Sequence, residues 1–350
     1  MKLMAKEAPP AEFESGGKPC FIIAEAGVNH NGDIEIAKAL INSAADAGAD
    51  AVKFQTFHVD EIVTFKSEKA SYQKRANEKT QYQMLKRLEL SFDDFIELKQ
   101  FSDKRGIEFL STPYDIKSVR FLDGLGQKKF KIASADIVNR PLIEEITKTG
   151  KQIILSTGMA TLEEIKRTLL LVNSLGGNDV VLLHCTTSYP APYAHVNMRS
   201  MLMLKNTFNM PMGYSDHTVG IEIPIMAVTL GAKIIEKHLT LDRRLEGPDH
   251  FASIEPDELK NMVQAIRHVE TAFGSSEKKM SPGEKENIFY MRRSIHASRD
   301  LKIGDEITED HINIVRPNEG IEPWSYNNLI GKKVKADIEK GMPITWGDIT

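Results

Sequence analysis

Ionisable and hydroxyl side chains recur at the ends of short apolar runs in the first three quarters of this chain. The runs are CFIIAE, AVKFQ, EFLST, KFKIAS, QIILST, VVLLHC, MPMGYSDH and KIIEKH. The residues whose side chains could bind a ligand or take part in catalysis are Glu25, Lys53, Gln55, Ser111, Thr112, Lys131, Ser134, Ser156, His184, Ser215, His217, Glu236 and His238. Carboxylates, ammonium groups and imidazoles can bind anions, bind metals or transfer protons. The sequence therefore predicts one active site that is assembled from many strand ends.

Two lysines, Lys53 and Lys131, interrupt runs that otherwise consist of strand-forming residues. A lysine on a strand of a parallel barrel points either into the barrel or into the surrounding helix layer, and the apolar helix layer favours the inward direction. In one interpretation they form a structural salt-bridged layer with Glu25 or Glu236. In the other they bind a carboxylate or phosphate group, together with the strand-end hydroxyls of Ser134, Ser156 and Ser215.

His217 and His238 end the seventh and eighth runs, which are neighbours in a barrel. Two imidazoles on adjacent strands can bind one divalent metal and leave other positions open. Zinc, manganese, iron and cobalt are all chemically allowed, and Glu25 faces the pair in this arrangement. The alternative is that each histidine is a hydrogen-bonded core residue.

Two polar segments are interpreted as turns. Asn29–Asp33 has the composition of a turn that caps the first helix, although its oxygens could also bind a metal. The segment from Gly247 to His250 follows the eighth run, and Asp249 in it could accept hydrogen bonds from substrate hydroxyls. Its alternative is a solvated turn.

Eight runs separated by amphipathic stretches predict an α/β fold, a (β/α)8 TIM barrel with its active site at the carboxyl ends of the strands. Apolar residues from Ile36 to Ala44 recur at helical spacing and Gly48 follows them, so a helix is predicted there. Further helices are predicted over 93–104, 161–175 and 256–273. The polar stretch from Phe57 to Lys86 predicts a long active-site loop.

The chain divides into four segments. Residues 1–19 are a short lead-in, 20–273 form the barrel, and 274–291 are a polar linker that contains Gly, Ser and Pro. Residues 292–350 alternate in short β-like pieces and predict a small β-rich domain. At about sixty residues that domain is near the lower limit for an independent core.

Composition excludes several classes of protein. The net charge is -4, from 45 basic and 49 acidic residues, so no overall field attracts nucleic acid or an anionic membrane, and any anion binding must come from local lysines and arginines. The start of the chain lacks the apolar core of a signal peptide, and no run reaches the length of a membrane span. Cys20 and Cys185 both lie in apolar runs, which favours a reducing compartment over a disulfide framework. A cytoplasmic protein is predicted.

Eight motifs in this order resemble the sialic acid synthase family: IAEAGVNHNGD, DAVKFQTF, FLSTP, FKIASAD, ILSTGMA, HCTTSYPAP, GYSDHTVG and EKHLTLD. The resemblance runs from about Phe21 to the C-terminus, and the tail resembles the antifreeze-like (SAF) domain of those enzymes. It implies condensation of phosphoenolpyruvate with an N-acetylmannosamine-type sugar, giving N-acetylneuraminate or N,N'-diacetyllegionaminate. It also implies a homodimer with swapped C-terminal domains.

The resemblance implies roles for individual residues. Phosphoenolpyruvate is expected to contact Lys53, Lys131, Ser134, Ser156, Thr187 and Ser215. The sugar is expected to contact Glu25, Gln55, Asn77, Tyr189, Asp249 and Arg316, the last reaching the partner subunit's pocket. Glu25, Lys53 and Asp136 are expected to take part in catalysis. His217 and His238 match the metal ligands, with Mn²⁺ expected first and Mg²⁺ or Co²⁺ as alternatives.

Asp136 and Thr187 depart from the resemblance, because sialic acid synthases of bacterial capsule pathways have Glu and Asn there. Relatives that make legionaminic acid vary in this way, so the departure affects the identity of the sugar and not the reaction class. Two other functions remain. A Schiff-base aldolase would use Lys53 or Lys131 as its nucleophile. A non-catalytic protein with an inert barrel would use the tail to bind ice or carbohydrate.

Overall fold

The structure is a computed structural model that describes residues 18–70, 73 and 76–350. It contains two compact units, divided after Gly274. Most of the lead-in predicted over residues 1–19 lies outside the described residues. Within the predicted linker, 274–291, the structure has a helix, because Ser281 and Glu284 form a capping box and Pro282 begins the first turn.

The first unit is built on eight parallel strands with helices between them. The strands are β1 (Phe21–Gly27), β2 (Ala51–Thr56), β3 (Glu108–Pro113), β4 (Lys129–Ile132), β5 (Gln152–Ser156), β6 (Val180–Cys185), β7 (Met212–Asp216) and β8 (Ile234–His238). They pair in the order β3-β2-β1-β8-β7-β6-β5-β4, and β3 and β4 are in contact. The predicted TIM-barrel class is confirmed.

The helices of the first unit follow the strands. They are α1 (Ile34–Asp46), α2 (Val59–Ile62), α3 (Gln81–Leu88), α4 (Phe92–Arg105), α5 (Ile116–Gly124), α6 (Arg140–Lys148), α7 (Leu162–Ser174), α8 (Tyr193–Val196), α9 (Arg199–Phe208), α10 (Glu222–Thr229) and α11 (Pro256–Phe273). The four predicted helices are present to within two residues at each end. Among the described residues, no helix combines the length and apolar character that a membrane span requires.

Local capping explains where two helices begin. Asp33 accepts hydrogen bonds from the amides of Glu35 and Ile36, which confirms that Asn29–Asp33 is a capping turn. The loop predicted from Phe57 to Lys86 is partly helical, contrary to prediction, since it includes α2 and the start of α3. Thr80 caps α3 by accepting from the amide of Gln83.

Side chains that alternate along the strands create two layers inside the barrel. The lower layer is apolar and contains Ile23, Ala51, Leu110, Ile154, Val181, Leu183 and Ile234. Two residues further along the same strands come Glu25, Lys53, Thr112, Ser156, Cys185 and Glu236. Because strand side chains repeat with period two, these polar groups also point inward, toward the carboxyl ends. The barrel core thus ends in a polar layer.

The second unit contains α12 (Pro282–Met291), β9 (Ser294–Ala297), β10 (Ile312–Val315) and α13 (Tyr326–Leu329). β9 and β10 pair antiparallel, and isolated bridges connect other segments, such as Leu301 with Ile338. The unit has its own apolar core, in which Ile295, Ile307 and Ile344 are fully buried. Several of the β-like pieces in the sequence therefore form single bridges and not strands.

Candidate functional site

The carboxyl ends of the barrel strands surround a cavity of about 560 Å³. Most of the residues that were predicted from the sequence line it. They are Glu25, Gln55, Lys53, Lys131, Ser134, Asp136, Ser156, Thr187, Tyr189, Ser215, His217, His238 and Asp249. The structure therefore brings together groups that lie more than two hundred residues apart in the chain.

Asn77 and Arg316 are not among the lining residues. The Asn77 side-chain amide donates a hydrogen bond of 2.7 Å to Glu246, which joins the loop after β2 to the loop after β8. Arg316 belongs to the second unit, where it follows β10 directly and is exposed. Their predicted contacts with the sugar stay predictions.

Lys53 is at the centre of a buried ionic layer. Its Nζ atom lies 2.5 Å from Glu25 Oε2 and 3.5 Å from Glu236 Oε2, and it donates to Thr112 Oγ1 at 2.8 Å. The Lys53 side chain is only 2% exposed. The salt-bridged layer expected of the inward lysines is present, and it also forms the floor of the cavity.

Burial and charge act in opposite directions on this layer. Burial raises the pKa of Glu25 to about 7, although Lys53 opposes the shift. Burial also raises the pKa of Glu236, but Lys131 and Lys53 together outweigh it and lower that pKa to about 2. For Lys53, burial lowers the pKa, yet Glu236 and Glu25 outweigh it and the net shift is upward. Lys53 is therefore held as an ammonium group.

Lys131 is less well paired than Lys53. Its Nζ atom is 3.7 Å from Glu236 Oε1 and donates a long hydrogen bond of 3.3 Å to its neighbour's carbonyl, that of Ile132. Burial lowers the pKa of Lys131, and Glu236 opposes this only in part. A buried lysine with so few partners has donors to spare for a ligand.

Unpaired hydroxyls lie on the same side of the cavity as Lys131, at the ends of β5 and β6. Ser156 Oγ and Thr187 Oγ1 are buried and have no hydrogen-bond partner among the described residues. Gly158 follows Ser156 by two residues in the chain, and its amide donates to Ser134 Oγ at 3.0 Å. A Cβ atom on Gly158 would come within 2.2 Å of Thr187 Oγ1. The absence of a side chain thus keeps an open, polar cradle, defined here as Lys131, Ser134, Ser156, Gly158 and Thr187.

The two imidazoles predicted as metal ligands are neighbours. The rings of His217 and His238 are 5.4 Å apart, and the ring of Tyr189 lies 4.2 Å from that of His217. His217 Nδ1 donates to the carbonyl of Thr186 at 2.9 Å, which leaves Nε2 for another partner. His238 Nδ1 is buried and has no hydrogen-bond partner among the described residues.

This donor set fits a divalent metal. Burial lowers the pKa of His238 well below its usual value, so its imidazole is neutral and can bind a cation. Burial lowers the pKa of His217 as well, but Cys185 outweighs this and the net shift is upward. Within the described part of the chain, no three His, Cys, Asp or Glu residues form a ready metal cluster. Further ligands would come from water or substrate.

Two further carboxylates border the cavity. Asp249 Oδ2 is 3.9 Å from His238 Nδ1, too far for a hydrogen bond, and burial raises the pKa of Asp249 to about 6. Asp136 accepts from the Asn139 amide at 3.0 Å, and burial raises its pKa too. Both carboxylates therefore bind protons more readily than in water.

Sequence reasoning named some residues that lie outside the site and missed others within it. His184 and Ser111 end strands but face away: His184 Nε2 lies 2.7 Å from the Val196 carbonyl, and Ser111 bonds to Thr56. Cys185 was predicted as a core thiol, yet it lines the cavity. Glu236 was considered only as a salt-bridge partner. Both could have been found from the period-two pattern, since each lies two residues beyond an inward apolar residue.

Comparison with known proteins agrees with this geometry. The NeuB family model matches residues 40–278, and the SAF domain model matches residues 292–350. The chain is 46% identical to N,N'-diacetyllegionaminic acid synthase of Legionella pneumophila, over 94% of each protein. It is 48% identical to the Campylobacter jejuni protein of the same name, over 90% of this chain and 96% of that one.

A similar structure has also been solved. The crystal structure of N-acetylneuraminic acid synthetase from Leptospira borgpetersenii superimposes with a TM-score of 0.67. It is 38% identical, and the match covers 77% of this chain and 90% of that one. The family suggested by the eight motifs is thus confirmed by sequence models, by full-length relatives and by fold. The chain belongs to the NeuB family and carries a C-terminal SAF domain.

Proposed function

We propose that this protein is a nonulosonic acid synthase. It joins phosphoenolpyruvate to an N-acetylmannosamine-type sugar and releases phosphate, giving N-acetylneuraminate or N,N'-diacetyllegionaminate. The names of the full-length relatives support this reaction class. The observation that carries the proposal is that two buried lysines, Lys53 and Lys131, line the same cavity as the unpaired buried hydroxyls of the polar cradle. Buried donors without partners are costly, so a bound anion would satisfy them.

The residues of this chain suggest how phosphoenolpyruvate is held. Lys131, Ser134, Ser156 and Thr187 bind one of its anionic groups, and Lys53 with Ser215 binds the other. Holding both ends fixes C3 of phosphoenolpyruvate against the aldehyde carbon of the open-chain sugar, which removes much of the entropic barrier. Gln55, Tyr189 and Asp249 contact the sugar.

The reaction forms one C–C bond and breaks one C–O bond. C3 of phosphoenolpyruvate bonds to the aldehyde carbon, whose oxygen takes up a proton. Positive character develops at C2 and water adds there. The C2–O bond to phosphate then breaks, and the nine-carbon keto acid forms with release of inorganic phosphate. Glu25 stabilises the positive character at C2 and orients the water, and Asp136 assists the proton transfers.

His217 and His238 are the residues that would hold a divalent metal, with Mn²⁺ first and Mg²⁺ or Co²⁺ as alternatives. Bound there, the ion would act as a Lewis acid on the aldehyde oxygen. The adjacent rings of the two histidines and the unpaired Nδ1 of His238 support this assignment. Tyr189 packs against His217 and keeps its ring in place.

The proposed reaction is tested by measuring phosphate release from phosphoenolpyruvate with each of two acceptors. N-acetylmannosamine and its 2,4-diacetamido-6-deoxy analogue are the sugars to compare. Phosphoenolpyruvate labelled with ¹⁸O in the C2–O–P bridge should yield labelled phosphate, because the C–O bond breaks. No phosphate with either sugar, or label retained in the keto acid, contradicts the proposal.

A Schiff-base aldolase is the alternative that one observation favours, because burial lowers the pKa of Lys131 as a nucleophilic amine requires. Lys53 is unsuited, since its pKa is raised. Borohydride reduction in the presence of substrate would trap a covalent adduct on Lys131 if this mechanism operated. Recovery of unmodified protein by mass spectrometry excludes it.

We also propose that the protein is a homodimer in which the SAF domain of one subunit completes the partner's site through Arg316. The family resemblance supports this role. Arg316 is also exposed and has no ion-pair partner among the described residues, so its guanidinium is available to a sugar carbonyl or hydroxyl.

Subunit complementation tests the swap. An Arg316→Ala chain and a Lys53→Ala chain are each expected to be nearly inactive. In a mixed dimer with swapped tails, one site carries both defects and the other carries neither, so activity should return on mixing. Without the swap every site carries one defect, and activity stays absent although mass spectrometry detects the mixed dimer.

A further inference from the structure

One side of the cavity is apolar, in contrast to the polar cradle and the imidazole pair. Val28, Phe57 and Met84 are buried there, and Ile62, Leu85 and Tyr114 are partly buried against them. All six line the cavity. They belong to a hydrophobic cluster separate from the core between strands and helices. These six residues are called the apolar wall.

The apolar wall occupies a defined part of the barrel mouth. Val28, Phe57 and Tyr114 follow β1, β2 and β3, and Met84 and Leu85 lie on α3. The polar cradle lies at β4 to β6, and the imidazoles lie at β7 and β8. Because β1 pairs with β8 and β3 contacts β4, the wall adjoins the imidazoles at one end and the cradle at the other.

The polar residues that border the apolar wall have partners in the protein. Glu61 forms an ion pair of 2.5 Å with Lys117. The Gln73 side-chain oxygen accepts from the Ala70 amide at 3.0 Å and from the Gln81 side chain at 3.3 Å. Among the described lining residues, the cations are Lys53 and Lys131, and both stand on barrel strands. The wall thus offers methyl, methylene and ring surface.

The positions of the polar cradle, the imidazoles and the apolar wall indicate how the acceptor sugar lies in the cavity. With phosphoenolpyruvate in the polar cradle and the aldehyde near the imidazoles, the rest of the open-chain sugar extends over the apolar wall. Such a surface gains free energy from burying methyl groups, whereas a phosphate or other charged group would lose its hydration without gaining a partner.

We propose that the apolar wall determines acceptor specificity, and that Met84 and Leu85 select an uncharged sugar with a methyl group at its far end. This inference rests on the proposed function. The substrate class is a 6-deoxy sugar with acetamido groups, whose C6 and acetyl methyls contact the wall. N-acetylmannosamine is a poorer acceptor, and its 6-phosphate is poorer still.

The first measurement compares kcat/KM for three acceptors: the 2,4-diacetamido-6-deoxy sugar, N-acetylmannosamine and N-acetylmannosamine 6-phosphate. The 6-deoxy sugar should exceed N-acetylmannosamine by about 10–100-fold, the range that small apolar differences reach in a hydrophobic pocket. Phosphate release that is fastest with the 6-phosphate, or equal for all three, overturns the inference and leaves the proposed function standing. No release with any acceptor would instead contradict the proposed function itself.

The second measurement uses matched variants. Met84→Gln keeps the length of the side chain but makes it polar, so the ratio between the 6-deoxy sugar and N-acetylmannosamine should narrow by about tenfold. Met84→Leu should keep that ratio, and so should Met226→Gln, since Met226 is exposed on α10. Leu85→Gln, at a half-buried position, provides the same test if Met84→Gln does not fold. A ratio that both glutamine variants leave unchanged overturns the inference.

Discussion

Strand β8 carries charged residues on both faces, and the two faces differ in how fully those charges are bonded. On the outer face, Lys237 forms a buried ion pair with Asp216 and donates to the Thr218 carbonyl at 2.8 Å. Asp216 also accepts from Tyr214 Oη at 3.0 Å and from the Thr218 amide at 3.0 Å. Every oxygen of Asp216 is therefore occupied.

On the inner face of β8, Glu236 is almost as deeply buried but less fully bonded. Its Oε1 accepts from Ser215 at 2.8 Å, whereas Oε2 has no hydrogen-bond partner among the described residues. The two lysines nearest to it, Lys53 and Lys131, are 3.5 and 3.7 Å away. Burial of a charged residue alone therefore does not identify a functional site. Spare bonding capacity toward a cavity distinguishes the functional layer from the structural ion pair.

The largest predicted effect is a loss of stability when the ion pair on the outer face of β8 is broken. Lys237→Met leaves Asp216 as an unpaired buried charge, so the free energy of unfolding should fall by about 3–5 kcal/mol. Urea denaturation followed by circular dichroism measures this. The double variant Lys237→Met/Asp216→Asn removes both charges and should recover part of the loss. A decrease below about 1 kcal/mol, the scale of an exposed ion pair, would contradict a structural role for the pair.

If a metal binds at the inner face, removing the metal or one of its histidine ligands should lower the activity. His217→Ala should lower kcat by about 100-fold, since a Lewis acid contributes several kcal/mol to the transition state. EDTA should abolish turnover, and Mn²⁺, Mg²⁺ or Co²⁺ should restore it. Mn²⁺ binding, followed by electron paramagnetic resonance, should weaken in His217→Ala but not in His195→Ala, whose histidine is exposed. Full activity in a chelated, metal-free sample would rule the metal out.

Lys131→Met tests whether Lys131, on the inner face of the barrel, binds the substrate or only stabilises the fold. Because Lys131 has few partners in the protein, its loss should not lower the free energy of unfolding as Lys237→Met does. Phosphoenolpyruvate binding should weaken by about 1.5–3 kcal/mol, the value of a hydrogen bond to a charged group. Isothermal titration calorimetry measures the affinity. An unchanged affinity would assign Lys131 to the structural layer.

Much of this site could be predicted from the sequence because barrel strands follow simple rules. Lys53 lies between Val52 and Phe54, and period two with a mostly apolar helix layer favours an inward direction for its side chain. The two histidines follow from adjacent strand ends in the same way. Their convergence then depends only on barrel topology.

The apolar wall could not be predicted, because its members come from three strand ends and a long segment of weak periodicity. Met84 and Leu85 are on a helix of eight residues that the polar composition of 57–86 concealed. The sequence also does not show how fully a buried charge is hydrogen-bonded. Nothing in KIIEKH indicates that Lys237 is fully paired while Oε2 of Glu236 has no hydrogen bond among the described residues. Both properties arise from contacts between distant segments.

The smallest of the predicted effects concerns Gly158, where the missing side chain keeps the polar cradle open. A Cβ atom there would lie 2.2 Å from Thr187 Oγ1 and 2.8 Å from Ser134 Oγ. Gly158→Ala should therefore weaken phosphoenolpyruvate binding by about 1–3 kcal/mol, the range of overpacking at a close-packed site. Gly124→Ala is the control, since a Cβ atom at Gly124 has no neighbour within 4 Å.

A double-mutant cycle separates steric filling of the cradle from loss of a hydroxyl. Thr187→Ala removes the hydroxyl that collides with the new methyl group, so Gly158→Ala should cost less in that background than in the native protein. The coupling between the two positions, measured by calorimetry with phosphoenolpyruvate, should exceed about 0.5 kcal/mol, as expected for residues in contact. Strictly additive effects would mean that Gly158 does not keep the cradle open, and the anion would then have to bind elsewhere in the cavity.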